Sequence, residues 1–358
     1  MEEIKILELF DGIGALTKAF KILGLPHYII DYVEIDKYAV KSYNAMHNTN
    51  FEPQDITTWD KDIKVDLIMH GSPCQDFSVA GKGAGGDKDS GTRSSLMYET
   101  IRIVEKLKPK YVIWENVKNL LSKKHRHNFD AYLETMEQLG YTNYYQVLNA
   151  KDYGIPQNRE RVFTISIRND IDKGFTFPQP QELKLKLKDM LEEEVDEKYY
   201  LSEKMVDFFY KNEQIQKEKG NGFRFNVTDG NVIAKTITTR AGCRMDDNVI
   251  RTKNKRLHSM LDNIDITKVQ AIDMYNQTTH DNVIHTITTR VNDSNCTAIT
   301  QNERIRKLTP KECWRLMGFD DEDVEKASEV NSNTQLYKQA GNSIVVNVLE
   351  AILINLFL

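Results

Sequence analysis

The sequence predicts an α/β protein: a doubly wound, mostly parallel sheet joined to a smaller, irregular, β-rich domain. Three observations carry that prediction. Over the first 170 of its 358 residues, short apolar runs alternate with amphipathic helical patterns, and that alternation builds a parallel sheet covered on both faces. The apolar runs end in residues that carry chemistry, at "FDGIG", "VEID", "GSPCQ" and "ENV", and in such sheets ligands sit beyond the carboxyl ends of the strands. From about residue 170 the texture turns charged and then polar, and helical periodicity returns only near residue 306.

Taken in order, "IKILELF" (4–10) is the first buried strand, and "ALTKAFKILG" the helix after it. "HYIIDYVE" (27–34) and "DKYAVKSYNAMH" repeat the pair. "VDLIMHG" (65–71), "YVIWEN" (111–116), "YYQVLNA" (144–150) and "VFTISIR" (162–168) are further strands, with "SSLMYETIRIVEKLK" and "FDAYLETMEQLG" as amphipathic helices between them. The stretch "LKLKLKDMLEEEVDEKYYLSEKMVDFFYKNEQIQKEKG" is charge-rich and partly helical, with a solvated face. From 220 to 305 the chain is rich in Thr, Asn, Arg and Gly and carries a repeat, "AKTITTR" (234–240) and "IHTITTR" (284–290). Alternating Thr and Ile suits half-buried strands. The tail, "LTPKECWRLMGF" and "GNSIVVNVLEAILINLFL", is helical and docks back on the first domain. The predicted division is 1–170 plus 306–358 for one domain and 171–305 for a connecting helical segment and second domain, with its core at about 220–305.

Composition narrows the function classes. A net charge of -5 announces no global nucleic-acid binder, so any basic surface is local. Cys74, Cys243, Cys296 and Cys313 include no C-x-x-C pair, which argues against a disulfide framework and a zinc site and for a reducing, cytoplasmic setting. The N-terminus opens directly into a strand without a signal-peptide pattern. No apolar run reads as long enough to span a bilayer.

Four constellations carry chemistry. In "LFDGIG", glycines at a strand end let a backbone pass close to a ligand, although Thr17 stands where a dinucleotide fingerprint wants a third glycine. Glu34 ends the next strand, 20 residues past Gly14, where an acid grips ribose hydroxyls, and Asp55 is placed to grip an adenine amino group. A tight turn alone would also account for the glycines. Cys74 sits in "GSPCQ", ahead of the long loop "GKGAGGDKDSGTR"; a buried cysteine is commonly inert, but a thiol at a strand end beside such a loop is placed for attack if its pKa is lowered. Glu115 ends an apolar strand, so burial should raise its pKa and let it hold a proton near neutrality; capping a helix is the plainer alternative. In "QNRERVF", Arg159 and Arg161 are two apart and point the same way.

Taken together, the order F-x-G-x-G, P-C-Q, E-N-V, Q-x-R-x-R, a variable polar region, "ECWRLMGF" and G-N-S resembles the DNA cytosine-5 methyltransferase family. The resemblance covers nearly the whole chain apart from roughly 170–305. It implies a Rossmann-like fold that uses S-adenosyl-L-methionine, and it assigns roles. Cys74 would add to carbon 6 of a cytosine, Glu115 would quench charge at ring nitrogen 3, and Arg161, with Arg159 close by, would grip the base carbonyl and orient Glu115. Phe10 would stack on the cofactor adenine, Gly12, Ile13 and Gly14 would allow close approach, Glu34 would bind the ribose, and Asp55 the adenine. Ile35, Ile56, Pro73, Leu96, Asn342 and Ser343 would line the rest. Two positions depart from the family's habit: Asp11, where a small residue is usual, and Ile35, where an aromatic often packs; both departures weaken cofactor binding without removing it.

Since these groups cannot reach a stacked base, the resemblance also implies base flipping from double-stranded DNA. Gln75 and Ser78 would contact DNA beside Cys74. The segment 220–305 would recognise the target, with the "TIT" at 236–238 matching the family's recognition signature and the second copy lying outside the common pattern. From Thr236 to Pro310 there are 11 Lys and Arg against 8 Asp and Glu, an excess compatible with phosphate contacts. Thr238, Arg240, Arg244 and Arg290 are the candidates there, the arginines for reading guanine, with phosphate or solvent as their plainer destinations. The resemblance further implies a monomer acting on DNA away from membranes, with a restriction endonuclease as a functional rather than physical partner. Methylation of tRNA cytosine is the alternative within the same chemistry.

Overall fold

A computed structural model describes residues 2–73, 96–242, 248–253, 270–273, 278–281 and 303–358. The chain divides into two compact units, one formed by 1–193, 230–247 and 308–358, the other by 194–229 and 248–307.

The first unit is built on a six-stranded sheet. Its strands are β1 (Ile4–Leu9), β2 (His27–Val33), β3 (Leu67–His70), β4 (Tyr111–Val117), β5 (Tyr141–Asn149) and, after the two-residue β6 (Gln157–Asn158), β7 (Glu160–Arg168). Their order is β2-β1-β3-β4-β7-β5. The pairs β1–β2, β1–β3 and β3–β4 are parallel, whereas β7 runs antiparallel to both β4 and β5. The expected mostly parallel sheet therefore carries an antiparallel edge, a common variant of this architecture. All four residues of β3 are buried, as a continuous apolar run in a two-faced sheet requires.

Two facts of this topology position the site. Strands β2 and β3 flank β1 on opposite sides, so the chain leaves β1 toward β2 and then crosses back over β1 to β3, and this reversal opens a crevice at the carboxyl end of β1. Because β7 is antiparallel to β4, its first residues lie beside the last residues of β4: Arg161 registers with Val117 and Phe163 with Glu115.

Helices cover the sheet: α1 (Ala15–Leu23), α2 (Lys37–His47), α3 (Met97–Leu107) and α4 (Arg126–Gln138). On one face, Ile103 and Val104 of α3 and Phe129, Tyr132 and Met136 of α4 join Leu7, Ile68 and Trp114 in a continuous apolar cluster. In the second unit, α5 (Glu203–Glu218) buries none of its residues, in keeping with the solvated face expected of that charged stretch. Strand β8 (Val227–Thr228) pairs in parallel with β10 (Val249–Lys253), which pairs antiparallel with β13 (Glu303–Lys307); β11 (Gln270–Asp273) and β12 (Thr278–Asp281) form a separate antiparallel ladder. Arg304 forks onto Glu197 at 2.8 and 2.6 Å with its guanidinium 3.8 Å from the Tyr200 ring centre.

The segment 230–247, assigned from sequence to the second domain, packs in the first unit, where β9 (Ala234–Lys235) pairs with β6. The Thr/Ile alternation of 234–240 yields only these two strand residues, because the positions after them are held by side chains rather than by a ladder. The tail forms α6 (Pro310–Arg315), α7 (Asp321–Val330), α8 (Asn333–Asn342) and α9 (Val346–Phe357). Thr309 and Glu312 cap α6 reciprocally. Helix α9 packs against α1, where the Phe357 and Phe20 rings lie 6.0 Å apart. By length and apolarity the stretch Asn333–Phe357 would suffice to cross a membrane, contrary to the sequence reading; half of its apolar window is buried in the protein, and the helix is broken between Asn342 and Val346. These are the marks of a core helix pair.

Candidate active site

Strand β4 delivers a carboxylate into a buried position: Glu115 is 9% exposed and follows the core residues Val112, Ile113 and Trp114. The Nε of Arg161, on the neighbouring strand, lies 2.9 Å from its Oε1. Burial raises the Glu115 pKa, while the charges of Arg161 and, less strongly, Arg159 pull it back. The net direction is upward, so this acid can hold a proton closer to neutrality than an exposed glutamate does.

Arg159 and Arg161 share a strand entry but not a task. The Arg159 guanidinium donates to three backbone carbonyls: Ile237 at 2.9 Å, Gly341 at 3.1 Å and Ser343 at 2.7 Å. It therefore ties the end of α8 and the segment 236–239 to the edge of the sheet. Gln157 makes a second bracket, accepting from the Ile237 amide at 2.9 Å and donating to the Leu316 carbonyl at 2.6 Å. Thr236 donates to the Asn158 carbonyl at 2.6 Å. A side chain at Gly341 would collide with the backbone of Thr238 and Thr239, so the glycine of "GNS" permits this crossing.

The end of β3 is fastened to β4. Trp114 Nε1 donates to Ser72 Oγ at 3.0 Å, and Asn116 Nδ2 donates to the Ser72 carbonyl at 3.2 Å. Pro73, next in the chain, is the last residue described before Leu96. Cys74, Gln75 and Ser78 lie outside the described residues, as do Arg244 and Arg290.

At the end of β1, Phe10 adopts φ 55°, Gly12 φ 61° and Gly14 φ 79°. The two glycines differ in purpose. A Cβ at Gly14 would lie 2.5 Å from His47 Nε2 and 2.6 Å from the Tyr43 ring, so that glycine serves the packing of α1 against α2. A Cβ at Gly12 would meet nothing within 4 Å, leaving an open cradle over its backbone. The Gly12 carbonyl accepts from the Tyr32 hydroxyl. Glu34 accepts from the Asp36 amide at 2.9 Å, and burial raises its pKa against the pull of the nearby amides, Gly12 among them. Ile35 is 67% exposed. Asp55 is exposed; its Oδ1 accepts from the Thr57 amide at 2.9 Å and hydroxyl at 2.8 Å, and its Oδ2 makes no hydrogen bond among the described residues. Ile13 and Ile56 are buried, Leu96 packs on the core, and Ser343 is buried beside exposed Asn342.

Gly71 stands between the two walls. A Cβ there would lie 3.3 Å from the Phe10 carbonyl oxygen and 4.0 Å from Glu115 Oε2, so the glycine turn and the buried acid face one narrow space. Beneath the turn lies a set of acids the sequence reading did not connect. Glu8 accepts from the Thr17 amide at 3.0 Å, the Thr17 hydroxyl at 2.7 Å and the Tyr43 hydroxyl at 2.7 Å. Asp11, 2% exposed, is pushed well above the usual carboxylate range by burial and then by the neighbouring Glu8 charge. The role of Thr17 is thus to donate to Glu8 and support the first helical turn.

The sequence-derived residues on the described chain thus gather at one edge of the sheet, apart from Thr238 and Arg240, which form a turn beside it: the Arg240 amide donates to Thr238 Oγ1 at 3.3 Å, and the Arg240 side chain is exposed. Ser72, Gln157 and Gly341 do not stand out in the sequence, although each lies inside a quoted motif.

Known proteins match this chain along nearly its whole length. A family model described as C-5 cytosine-specific DNA methylase matches residues 4–357. The type II methyltransferase M2.ScrFI of Lactococcus lactis subsp. cremoris is 35% identical, with 99% of each chain covered. The orphan methyltransferase M.SPRI of Bacillus phage SPR is 32% identical over 98% of this chain and 97% of its own. Among solved structures, an Entamoeba histolytica methyltransferase superposes with a TM-score of 0.69 at 17% identity over 100% of this chain and 98% of that one. A DNMT2 variant of Spodoptera frugiperda gives 0.66 at 22%, covering 99% and 100%. At those identities the structural matches speak to the fold.

Proposed function

The chain belongs to the C-5 cytosine-specific DNA methylase family, and from that premise we propose that it methylates carbon 5 of a cytosine flipped out of a short, specific double-stranded DNA sequence, through a covalent Cys74 adduct. The observation that carries this reading is the Glu115–Arg161 pair: a buried acid with a raised pKa, held by a guanidinium at 2.9 Å, opposite a glycine turn. That pair suits a base whose ring nitrogen must receive a proton while its carbonyl is gripped.

The residues of the glycine turn fit S-adenosyl-L-methionine. Gly12 offers an open cradle, Glu34 is oriented by amides for ribose hydroxyls, and Asp55 keeps one oxygen for an adenine amino group. When bound, this group supplies an electrophilic methyl.

The chain's own residues do the rest. The Cys74 thiolate adds to carbon 6 of the cytosine. Glu115 donates toward nitrogen 3, so the electron pair collects at carbon 5. Carbon 5 takes the methyl, and the broken bond's electrons stay on the donor sulfur; a base then removes the carbon 5 proton, the electrons of that bond expel Cys74, and the proton on nitrogen 3 returns to Glu115. Arg161 holds both Glu115 and the base carbonyl. Arg159, bound to three carbonyls, is a positioning residue that keeps 237 and 341–343 against the site. Base flipping costs a few kcal/mol and is recovered through pocket and phosphate contacts. The second unit supplies target recognition, with DNA as partner and, in a restriction-modification setting, an endonuclease acting on the same sequence.

Bisulfite sequencing of plasmid DNA incubated with the protein and S-adenosyl-L-methionine tests the reading. Protected cytosines in one short context, absent with Cys74→Ser, are the expected result. No protection while the cofactor still binds would overturn the DNA reading and direct the assay to tRNA.

A further inference from the structure

Two acids beneath the glycine turn have no task in the catalytic assignment. Glu8 is fully buried and takes three donors: the Thr17 amide at 3.0 Å, the Thr17 hydroxyl at 2.7 Å and the Tyr43 hydroxyl at 2.7 Å. Asp11 is 2% exposed, and neither of its carboxyl oxygens has a hydrogen-bond partner among the described residues. The polar groups that act on it are the Glu8 carboxyl, the Leu16 amide and, more weakly, the Glu34 charge.

Ionised carboxylates only accept, so while both are charged neither acid can satisfy the other. A proton on Asp11 supplies the missing donor toward Glu8, which keeps the charge because three donors already stabilise it. Asp11 also has an ionised form open to it, facing the Leu16 amide in the first turn of α1, where a helix favours an anion. The groups packed around the pair leave that choice open. Burial keeps the Tyr32 and Tyr43 hydroxyls protonated and His47 neutral, the last with its pKa pushed down to about 3. Lys21 holds its ammonium 2.9 Å from His47 Nδ1, Lys18 is bound to Asp320 and Asp323, and Asp36 pairs with Lys338 at 2.6 Å.

The pair borders the space in which the methyl is transferred. A Cβ at Gly71 would lie 4.0 Å from Glu115 Oε2 and 3.3 Å from the Phe10 carbonyl oxygen, whose carbon is bonded to the Asp11 nitrogen. In the proposed reaction the methyl passes to a base gripped by Glu115, so this space must admit the positive sulfonium.

We propose that Glu8 and Asp11 share one proton in the free protein and release it when S-adenosyl-L-methionine binds, so that the pair tells the sulfonium from the neutral sulfur of the product. The inference rests on the cofactor reading above and adds to it how cofactor and product are distinguished. An ionised Asp11 gains an opposite charge in a buried site, where charges interact more strongly than in water. After transfer the sulfur is neutral, Asp11 takes a proton back from solvent, and the product lacks the attraction that held the cofactor.

The test is calorimetric titration of the full-length protein near pH 7.5 with S-adenosyl-L-methionine and with S-adenosyl-L-homocysteine. Each is run in phosphate and in Tris, whose different heats of ionisation count the protons released. The methylated ligand should release roughly 0.3 to 1 proton more than the product, and Asp11→Asn should remove that excess. Contributions from Glu34, which meets the same ribose in both ligands, and from the ligands' own amino groups persist in the variant and cancel in the comparison. In the unaltered protein the ratio of the two affinities should shift toward the methylated ligand by up to about ten-fold per pH unit, and in Asp11→Asn it should shift less. Equal proton release with both ligands, or an excess that Asp11→Asn leaves unchanged, overturns the inference while the cofactor reading stands. If the unaltered protein binds neither ligand, the cofactor reading itself fails and the inference falls with it.

Discussion

The two walls of the active-site crevice solve the same problem in opposite ways. Each places carboxylates in buried or half-buried positions. On the wall formed by β4 and β7, the single acid Glu115 is matched by a guanidinium at 2.9 Å. On the wall formed by β1 and β2, Glu8, Asp11 and Glu34 are grouped; amides and hydroxyls hold Glu8 and Glu34, and the buried Asp11 oxygens have no hydrogen-bond partner among the described residues. A guanidinium lowers the cost of a buried charge and fixes the acid's orientation. Amides and hydroxyls hold Glu8 and Glu34 but cancel no charge, and burial keeps all three acids above their ordinary values, with repulsion from Glu8 adding to it at Asp11. The first wall is thereby equipped to move a proton at a defined atom. The second is a negatively biased floor beneath a turn whose proposed ligand carries a positive sulfonium.

The strongest way to break this comparison is at Glu115. Glu115→Gln keeps the shape but removes the titrating proton, and turnover should fall by about 10² to 10⁴ with melting temperature nearly unchanged. Arg161→Ala should also cut turnover, and it moves the pH dependence in a definite direction. The arginine stabilises the carboxylate form, so its loss raises the Glu115 pKa further and shifts the alkaline limb of the rate profile to higher pH. An unmoved alkaline limb, measured by single-turnover methylation across pH, would mean that Arg161 does not govern the acid.

The glycines sharpen the comparison on the other wall. Both Gly12→Ala and Gly14→Ala impose a left-handed backbone on alanine, a strain of about 1–2 kcal/mol. Only at Gly14 does the methyl also run into Tyr43 and His47. Gly14→Ala should therefore lower thermal stability by the larger amount, whereas Gly12→Ala should show its main effect as weakened S-adenosyl-L-methionine binding in calorimetry. Equal losses of stability in the two variants would remove the distinction between packing glycine and ligand glycine.

The smallest effect concerns Asp11. Its folded pKa is raised, so the native state binds its proton more tightly than the unfolded chain does. That contribution to stability is fully present below the unfolded value, near 3.8, and is lost as pH rises through the raised folded value. Asp11→Asn removes the group that must ionise or stay neutral in a dry site. Its melting temperature at pH 8 should exceed that of the unaltered protein by about 2 °C, and the gap should close as the pH is lowered toward 4. A gap that widens on acidification would show that Asp11 is charged and stabilising instead.

Much of this molecule is decided by local sequence. Six strands, the helices between them and the clustering of "FDGIG", "VEID" and "ENV" at strand ends follow from apolar runs of strand length and amphipathic runs of helical length, because a two-sided sheet admits no other placement for them. Even the nearness of Arg161 to Glu115 is half visible, since both sit at strand ends in motifs rich in charge. What periodicity could not supply is partner choice over long separations. That Arg159 binds the carbonyls at 237, 341 and 343 while Arg161 binds Glu115 depends on an antiparallel strand entering beside β4 and on α8 returning to a strand start 184 positions before Ser343. The segment "AKTITTR" shows the same limit: its alternation favours a strand, but Gln157 and Arg159 take the hydrogen bonds a ladder would have used. Sequence by itself determined which groups reach the carboxyl edge of the sheet. Tertiary structure decided which of them meet, because a buried charge or carbonyl must find its partner wherever the packed chain brings one within hydrogen-bond reach.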